Sequence, residues 1–400
     1  MQPNNSTVLT INGGSSSIKF AVYEMAGSMV CTLAGKITRI GTGSPAFIVT
    51  YNRSLETNSI PFNAANGKEA AAFLADWLER QPGFAQIACI GHRIVHGLKH
   101  TKAEIISEGL LAELASITAY DPDHLPAEIE MVQTFKTRHP GMVQVACFDT
   151  AFHTTMPRVA KTLPIPRRFD AAGIQRYGFH GLSYTYLMQS LTAAVGDVAA
   201  NGRVILAHLG SGASMAAVKN GQGIDTTMGF TPVGGLVMGT RPGDLDPGVA
   251  WYMMQSEAMT PEQFNTIINH ESGLLGVSGL SADMQDLLSA EKTDVQAAEA
   301  VELFCYTAKK WIGAFTAVLG GLDILVFSGG IGENAPIVRK RICEGLGYLG
   351  ITIDEGKNDL NAPIISNTGS TVQVRVIPTD EELMLAKSAK DIYIGTIPQD

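Results

Sequence analysis

Short apolar runs closed by glycine or polar turns alternate with stretches of helical period along the 400 residues. VLTINGGSSSIKFAVY at 8–23 reads as strand, Gly-Ser turn, strand. Residues 203–248 repeat that shape. An apolar run at 204–207 leads into the tight turn Gly210-Ser211-Gly212, and a second run follows at 215–218. The segment closes on Gly239-Thr240-Arg241, with Asp244 and Asp246 beyond. At an offset of 196 residues Val8 meets Val204, Gly14 meets Gly210, Ser15 meets Ser211 and Val22 meets Val218. One supersecondary unit thus opens each half of the chain. Further runs at 47–50, 87–90, 143–148 and 323–327 predict strands.

Between these runs the period changes to that of a helix. At 68–80, Ala71, Leu74, Ala75 and Leu78 follow i, i+3, i+4, i+7, and Pro82-Gly83 stops the pattern. Thr260-Pro261-Glu262-Gln263 is a capping box with proline at the first helical position. Residues 301–319 predict a long amphipathic helix with Val301, Phe304, Ala308, Trp311, Phe315 and Val318 on one side. Ser328-Gly329-Gly330-Ile331-Gly332-Glu333-Asn334 predicts a glycine loop before a helix at Pro336. Thr379-Asp380-Glu381-Glu382 predicts a capping box for the last helix, and the two glutamates are explained there by helix electrostatics alone.

Composition narrows the function classes. Hydrophobic residues make up 45% and charged residues 17%, which fits a well-filled globular core. A formal net charge of −9 argues against a nucleic-acid surface. The start MQPNNSTVLT has no apolar signal core, and no apolar run approaches the ~20 residues of a membrane span, so a cytoplasmic protein is expected. Five separated cysteines without a CxxC pair read as reduced thiols. His92, His96 and His100 are four apart, but the glycines and β-branched residues among them make this strand and loop rather than a zinc-binding helix face.

Candidate chemistry gathers at strand ends. A strand–glycine turn–strand presents backbone N–H groups to an anion, although a single such turn is equally an ordinary hairpin. Two such loops facing each other would clamp a polyphosphate between domains. Arg93 ends a strand between glycines, where it could bind an anion, though position alone favours a surface arginine; Asp149 follows the run at 143–148, where ligands gather in α/β sheets. Asp149 is equally suited to cap a helix. His180 sits between Phe179 and Gly181 before a helical pattern, a setting more common for a structural histidine than for a catalytic one. Gly330, Gly332 and Ala335 satisfy a loose dinucleotide GxGxxA, while a Walker GxxxxGK[ST] is absent.

Together these motifs resemble the acetate kinase family (acetate and propionate kinases) of the actin-like and sugar-kinase-like ATPase superfamily. The resemblance covers nearly the whole chain. It rests on NGGSSSIKF at 12–20, GHRIVHG at 91–97, FDTAFH at 148–153, RYGFHGLSY at 176–184, HLGSGAS at 208–214, MGTRPGDLDPG at 238–248, SGGIGEN at 328–334 and TDEEL at 379–383. It implies two RNase H-like (actin-like) α/β domains with an interdomain active-site cleft. The first would span 1–150, rejoined by the C-terminal helix at 380–400. The second would span 151–380 and carry the nucleotide site and a dimer interface. The implied reaction is in-line transfer of the γ-phosphoryl group of ATP to acetate, giving acetyl phosphate and ADP, with Mg²⁺ or Mn²⁺, in a homodimer without nucleic-acid or membrane partners. The alternative is another short acid, such as propionate, or another phosphoryl donor.

Carried over by position, the resemblance assigns Asp149, His180 and Arg241 to catalysis and Arg93 to the substrate carboxylate. A carboxylate is already ionised at pH 7, so Asp149 would organise the metal and Arg241 rather than accept a proton. Val95, Phe179 and Pro232 would receive the acyl methyl group. Ser15, Ser17 and Lys19 would contact ATP, as would His208, Leu209, Gly210, Ser211 and Gly212. The nucleotide would also meet Asp283, Met284 and Gln285, and then Gly330, Ile331, Gly332, Glu333 and Asn334. Asn12 and Glu381 match metal positions, which gives Glu381 a role beyond helix electrostatics. Four residues depart from the family pattern. Ser211 replaces an asparagine, Gln285 an arginine and Gly234 an acid, and Asp123 within DPDHLP replaces a leucine of the acyl pocket. A carboxylate at Asp123 would repel the substrate, so either it points away or the acid differs.

Overall fold

In the computed structural model, residues 6–14, 17–40, 45–51, 57–60, 62, 64 and 66–396 are described. Ser15, expected at the first phosphate loop, lies outside them. The contacts divide the chain into two compact units, Met1–Ala151 with Asp380–Asp400, and Phe152–Thr379.

The first unit is built on eight strands. They are β1 (Thr7–Gly13), β2 (Ser17–Glu24), β3 (Cys31–Thr38), β4 (Ala46–Tyr51), β5 (Thr57–Ile60), β6 (Ile87–Ile94), β7 (Glu104–Ile105) and β8 (Val143–Phe148). They lie in the order β5-β4-β3-β2-β1-β6-β8-β7. β1, β6 and β8 run parallel, and the hairpin strands β2 to β5 are antiparallel. The helix Gly67–Glu79 starts at Asn66, whose side chain accepts from the Glu69 N–H, and it buries Ala70, Ala71, Leu74, Ala75 and Leu78. Its half-buried Trp77 meets Phe47 edge-on at 5.0 Å between ring centroids, an arrangement aromatic pairs favour. The C-terminal helix Glu381–Thr396 packs on β6, β1 and β8. Gly91 permits that approach, because a Cβ there would stand 3.0 Å from both Leu385 O and Ala389 Cβ.

The second unit holds β9 (Arg203–Leu209), β10 (Ala213–Lys219), β11 (Gln222–Thr226), β12 (Ile324–Ser328) and β13 (Gln373–Val376), in the order β11-β10-β9-β12-β13. β9, β12 and β13 are parallel, and β10 and β11 antiparallel. This matches β3-β2-β1-β6-β8 of the first unit strand for strand and direction for direction. The repeat visible in the two opening hairpins therefore extends through five strands. Every residue of β12 is buried, as expected of a parallel strand covered on both faces. On one face Leu187, Met188 and Leu191 of the helix Gly181–Val195 join Val204, Leu206, Ile324 and Val326 in one core. The helix Val295–Leu319 packs on β10 and β9.

Several local expectations change. The long helix begins at Val295 rather than 301, because the Asp294 side chain accepts from the Ala297 N–H and caps it there. Val301, Phe304, Ala308 and Phe315 are buried, but Trp311 is only half-buried and Val318 is exposed. Residues Gly329–Asn334 form a helical turn directly after β12, not a loop. The last helix is capped by Asp380, whose Oδ1 accepts from the Leu383 N–H at 2.9 Å. The Thr379 hydroxyl instead pairs with Ser183 at 2.9 Å. The Thr260 capping box is present as read. All five cysteines are buried free thiols. Among the described residues, no helix is long and apolar enough to cross a membrane.

Candidate active site

The first unit gathers charge at the carboxyl ends of its parallel strands. In the β6–β8 register Arg93 lies opposite Cys147, so Asp149 emerges two residues later beside the arginine. Its N–H donates to Ile94 O at 3.0 Å, which holds the end of β8. Arg93 Nε and Nη2 donate to Asp149 Oδ2 at 3.0 and 2.6 Å, and Nη1 donates to Gly13 O at 3.4 Å. Asp149 is fully buried, yet its Oδ1 accepts no hydrogen bond. Burial works against the Arg93 charge, but Asp149, Glu128 and Glu381 outweigh it and raise the guanidinium above its ordinary value. Asn12 Nδ2 donates to Glu381 Oε2 at 3.5 Å. Burial raises the Glu381 carboxyl, Asp149 adds to the rise, and Arg93 and Lys19 oppose it. Lys19 is exposed on β2, 4.0 Å from Glu382. Ser17 opens β2, and its carbonyl closes the turn by accepting from the Gly14 N–H at 2.8 Å.

Two further acids stand here that sequence reasoning missed. Glu128, 2% exposed, accepts from the Val95 N–H at 2.9 Å, and its Oε1 lies 3.7 Å from Arg93 Nη1 without a hydrogen bond. Burial pushes its carboxyl up to about 8, against the pull of Arg93, with Asp121 and Asp149 adding to the rise. Asp121, also buried, uses Oδ1 on His124 and leaves Oδ2 without a hydrogen bond. A signal existed for Glu128. It occupies the apolar stripe Leu125, Ile129, Val132 and Phe135 of the helix Leu125–Arg138, where a charge has to be explained. Asp123, the acid singled out by the sequence, is half-buried on the loop before that helix. Val95 is buried beside Glu128.

In the second unit the β9–β10 turn is a close meeting point. The Gly210 N–H donates to Gly212 O at 3.0 Å. A Cβ on Gly212 would stand 3.0 Å from Arg241 Nη2 and 3.2 Å from His180 Nε2, so a side chain there would crowd both groups at the turn. Arg241 is held from behind by Pro232, whose carbonyl accepts from Nη1 at 2.6 Å. His180 has φ 59°, a left-handed conformation costing a non-glycine residue roughly 1–2 kcal/mol, and it precedes the helix Gly181–Val195. Phe179 is buried, and its carbonyl accepts from His153 Nε2 at 2.9 Å.

A cavity of about 600 Å³ adjoins the same turn. Its walls join the three segments expected to hold nucleotide, through Gly210 and Ser211, Asp283 to Gln285, and Gly330, Ile331 and Asn334, with Leu288 and Ile337 supplying apolar surface. His208, Leu209, Gly212, Gly332 and Glu333 are not in that lining. Glu333 instead accepts from the Gly329 and Thr379 N–H groups at 2.8 and 3.1 Å, tying the glycine turn to the segment after β13. Buried Arg339 donates to Gly332 O and Glu333 O at 2.9 and 3.0 Å and braces the same turn. Of the departures, Ser211 and Gln285 are exposed at this cavity. At Gly234 a carboxylate is supplied by another residue, since Asp244 Oδ1 lies 3.7 Å from where its Cβ would be.

Two sheets of one topology, each opening on a glycine-turned hairpin, define an α/β protein of duplicated, RNase H-like (actin-like) fold, with a cavity beside the second hairpin. The model of the Acetokinase family matches residues 7–387, and the chain belongs to that family. It is 41% identical to the acetate kinase of Rhodopseudomonas palustris (strain TIE-1) over 389 residues, covering 95% of this chain and 96% of the relative. It is 39% identical to the propionate kinase of Citrobacter rodentium over 398 residues, covering 98% of each. Among solved structures, Porphyromonas gingivalis acetate kinase matches with a TM-score of 0.86 at 35% identity, covering 97% of this chain and 99% of that one. A propionate kinase from Francisella tularensis matches with a TM-score of 0.90 at 35% identity, covering 97% and 100%. The chain is accordingly a phosphotransferase with a carboxyl group as acceptor.

Proposed function

We propose that the chain transfers the γ-phosphoryl group of ATP to acetate, forming acetyl phosphate and ADP reversibly. The observation that carries this reading is the convergence of Arg241 and His180 on Gly212, beside a cavity of nucleotide size. Phosphoryl transfer asks for positioning and for fixed donors around a charge spread over three oxygens. Arg241 and His180 at the β9–β10 turn meet that demand. Arg93 receives the carboxylate of the acid, its own charge secured by Asp149. Val95, Phe179 and Pro232 receive the methyl group. The cavity takes the nucleotide, with Met284, Leu288, Ile331 and Ile337 against its apolar parts.

Mg²⁺ fits the oxygen donors of Asn12, Asp149 and Glu381. Asp149 keeps a buried oxygen without a hydrogen bond, and Mg²⁺ needs only one or two carboxylates besides water and phosphate. When bound, the ion would neutralise phosphate charge. Asp149 thus serves the arginine through Oδ2 and leaves Oδ1 for the ion. We place the enzyme in the cytoplasm, as a homodimer associating through the second unit, where Leu245, Trp251, Tyr252, Leu303 and Tyr306 expose apolar surface. The propionate kinase relative supports a second acid. One methylene discriminates by only about 1–3 kcal/mol, so propionate is expected to react as well.

Trapping the acyl phosphate with hydroxylamine, across a panel of short acids and phosphoryl donors, tests the reading. Acetate with Mg-ATP should give hydroxamate, and Arg241→Ala should lower kcat/KM about 10²–10³-fold. No hydroxamate with any short acid would sink the proposal.

A further inference from the structure

The imidazole facing the β9–β10 turn is held from behind by a hydroxyl chain. His180 Nδ1 lies 2.8 Å from Ser214 Oγ, which lies 2.5 Å from the Tyr184 hydroxyl. Ser214 and Tyr184 are fully buried. One helical turn separates His180 from Tyr184, and the Tyr184 N–H donates to His180 O at 3.0 Å. The neighbouring residue repeats the device. Ser183 Oγ lies 2.8 Å from His208 Nδ1 and 2.9 Å from Thr379 Oγ1. The two imidazoles stack at 4.3 Å between centroids, 23° from parallel. In both, the hydroxyl takes Nδ1 and leaves Nε2 toward the turn: His180 Nε2 lies 3.2 Å from a Cβ position on Gly212, and His208 Nε2 lies 3.9 Å from one on Gly210.

Arg241 Nη2 already stands beside His180 Nε2 at Gly212. A charged imidazole would meet a like charge there and, if His208 were also protonated, a second across the stack. A neutral imidazole can donate to a phosphoryl oxygen only from Nε2, so Nδ1 must accept. Ser214 then donates to Nδ1 and must itself accept from the Tyr184 O–H. Each hydroxyl proton between His180 and Tyr184 is then used once. We propose that Tyr184 and Ser214 are positioning residues that fix His180 as the neutral Nε2–H tautomer, and that Ser183 with Thr379 does the same for His208. The proposal rests on the reading of His180 as a donor to the transferring group. It turns a lone histidine into one of two parallel neutral donors, leaving the positive charge at the turn to Arg241.

The test is ¹⁵N NMR of the full-length protein with labelled histidine, His180→Asn identifying the resonances. His180 should show a protonated Nε2 and an accepting Nδ1 at pH 7.5. Ser214→Ala and the isosteric Tyr184→Phe should each shift it toward a mixture of tautomers. Both should lower kcat roughly tenfold, less than the about 10²–10³-fold loss from removing a donor outright. KM for the acid should stay within about twofold, as for an interaction made only in the transition state. Ser214→Thr, which keeps the hydroxyl, should restore most of the rate. An Nδ1–H tautomer or an imidazolium in the wild type overturns the proposal. So does a Tyr184→Phe protein with unchanged tautomer and kcat. The tautomer is read without turnover, so failure of acetyl phosphate formation bears on the reaction and leaves this result to decide the relay.

Discussion

At Glu128 burial and charge pull against each other. Its carboxyl is pushed up to about 8 by burial although Arg93 stands 3.7 Å away. Between the ordinary glutamate value and about 8 the folded protein therefore holds a proton that the unfolded chain has released. The stability this contributes is complete at acid pH and is lost as pH rises through that window. Glu128→Gln keeps an acceptor for the Val95 N–H and removes the titration. Thermal unfolding from pH 5 to pH 8.5 should show a smaller fall in Tm for the variant, by roughly 2–4 °C for each kcal/mol removed. Glu381 is raised in the same direction, so the dependence should shrink without vanishing. An unchanged slope would show that Glu128 is ionised in the folded state. This cluster also marks how far single residues could be read. Arg93 and Asp149 each stood out as polar groups at strand ends, but their pairing depends on parallel register across 56 residues. Glu128 interrupts the apolar stripe of 125–138, but the helical period alone does not say that its carboxyl faces Arg93.

Among elements, the hairpins were the most legible, because glycine turns and apolar runs are local signals. β8 has the boundaries its apolar run suggested. The start of the long helix was misplaced because its first turns carry few large apolar residues, and the Asp294 cap decides the boundary. The turn at Gly329–Asn334 reads as a loop because glycines weaken helix propensity, while the side-chain bonds of Glu333 and Arg339 that brace it are not visible in the local pattern. How the C-terminal helix reaches its sheet was not legible, since that depends on a distant glycine. Gly91→Val should show the cost. The added carbons meet Leu385 O and Ala389 with no room, and overpacking of this kind costs about 1–3 kcal/mol. Urea denaturation should reveal a lower midpoint, and an unchanged midpoint would mean that the helix can shift without loss.

For the whole molecule, duplication explains why so much of the fold was visible early. Two five-stranded arrangements share order and direction, so one correctly read hairpin predicts the plan of the other. The proposed association between copies has no distinct sequence signal, because an amphipathic helix looks the same whether its stripe faces a core or a partner. Trp251 and Tyr252, 67% and 66% accessible, lie outside the helix Val295–Leu319. Trp251→Glu combined with Tyr252→Glu should convert a dimer to monomers in sedimentation velocity, and a retained dimer would locate the contact elsewhere. The buried cysteines have a further use. Burial pushes the thiols of Cys89, Cys147, Cys305 and Cys343 up to about 12, so almost none is present as the reactive thiolate at neutral pH. An aromatic disulfide reagent should therefore modify them only when the surrounding structure opens. Cys89 and Cys147 belong to the first unit and Cys305 and Cys343 to the second, so their separate rates would time the opening of each half. A thiol that reacted as fast as free cysteine in the native protein would contradict its burial. Otherwise the chain carries its own pair of clocks, one in each copy of the duplicated fold.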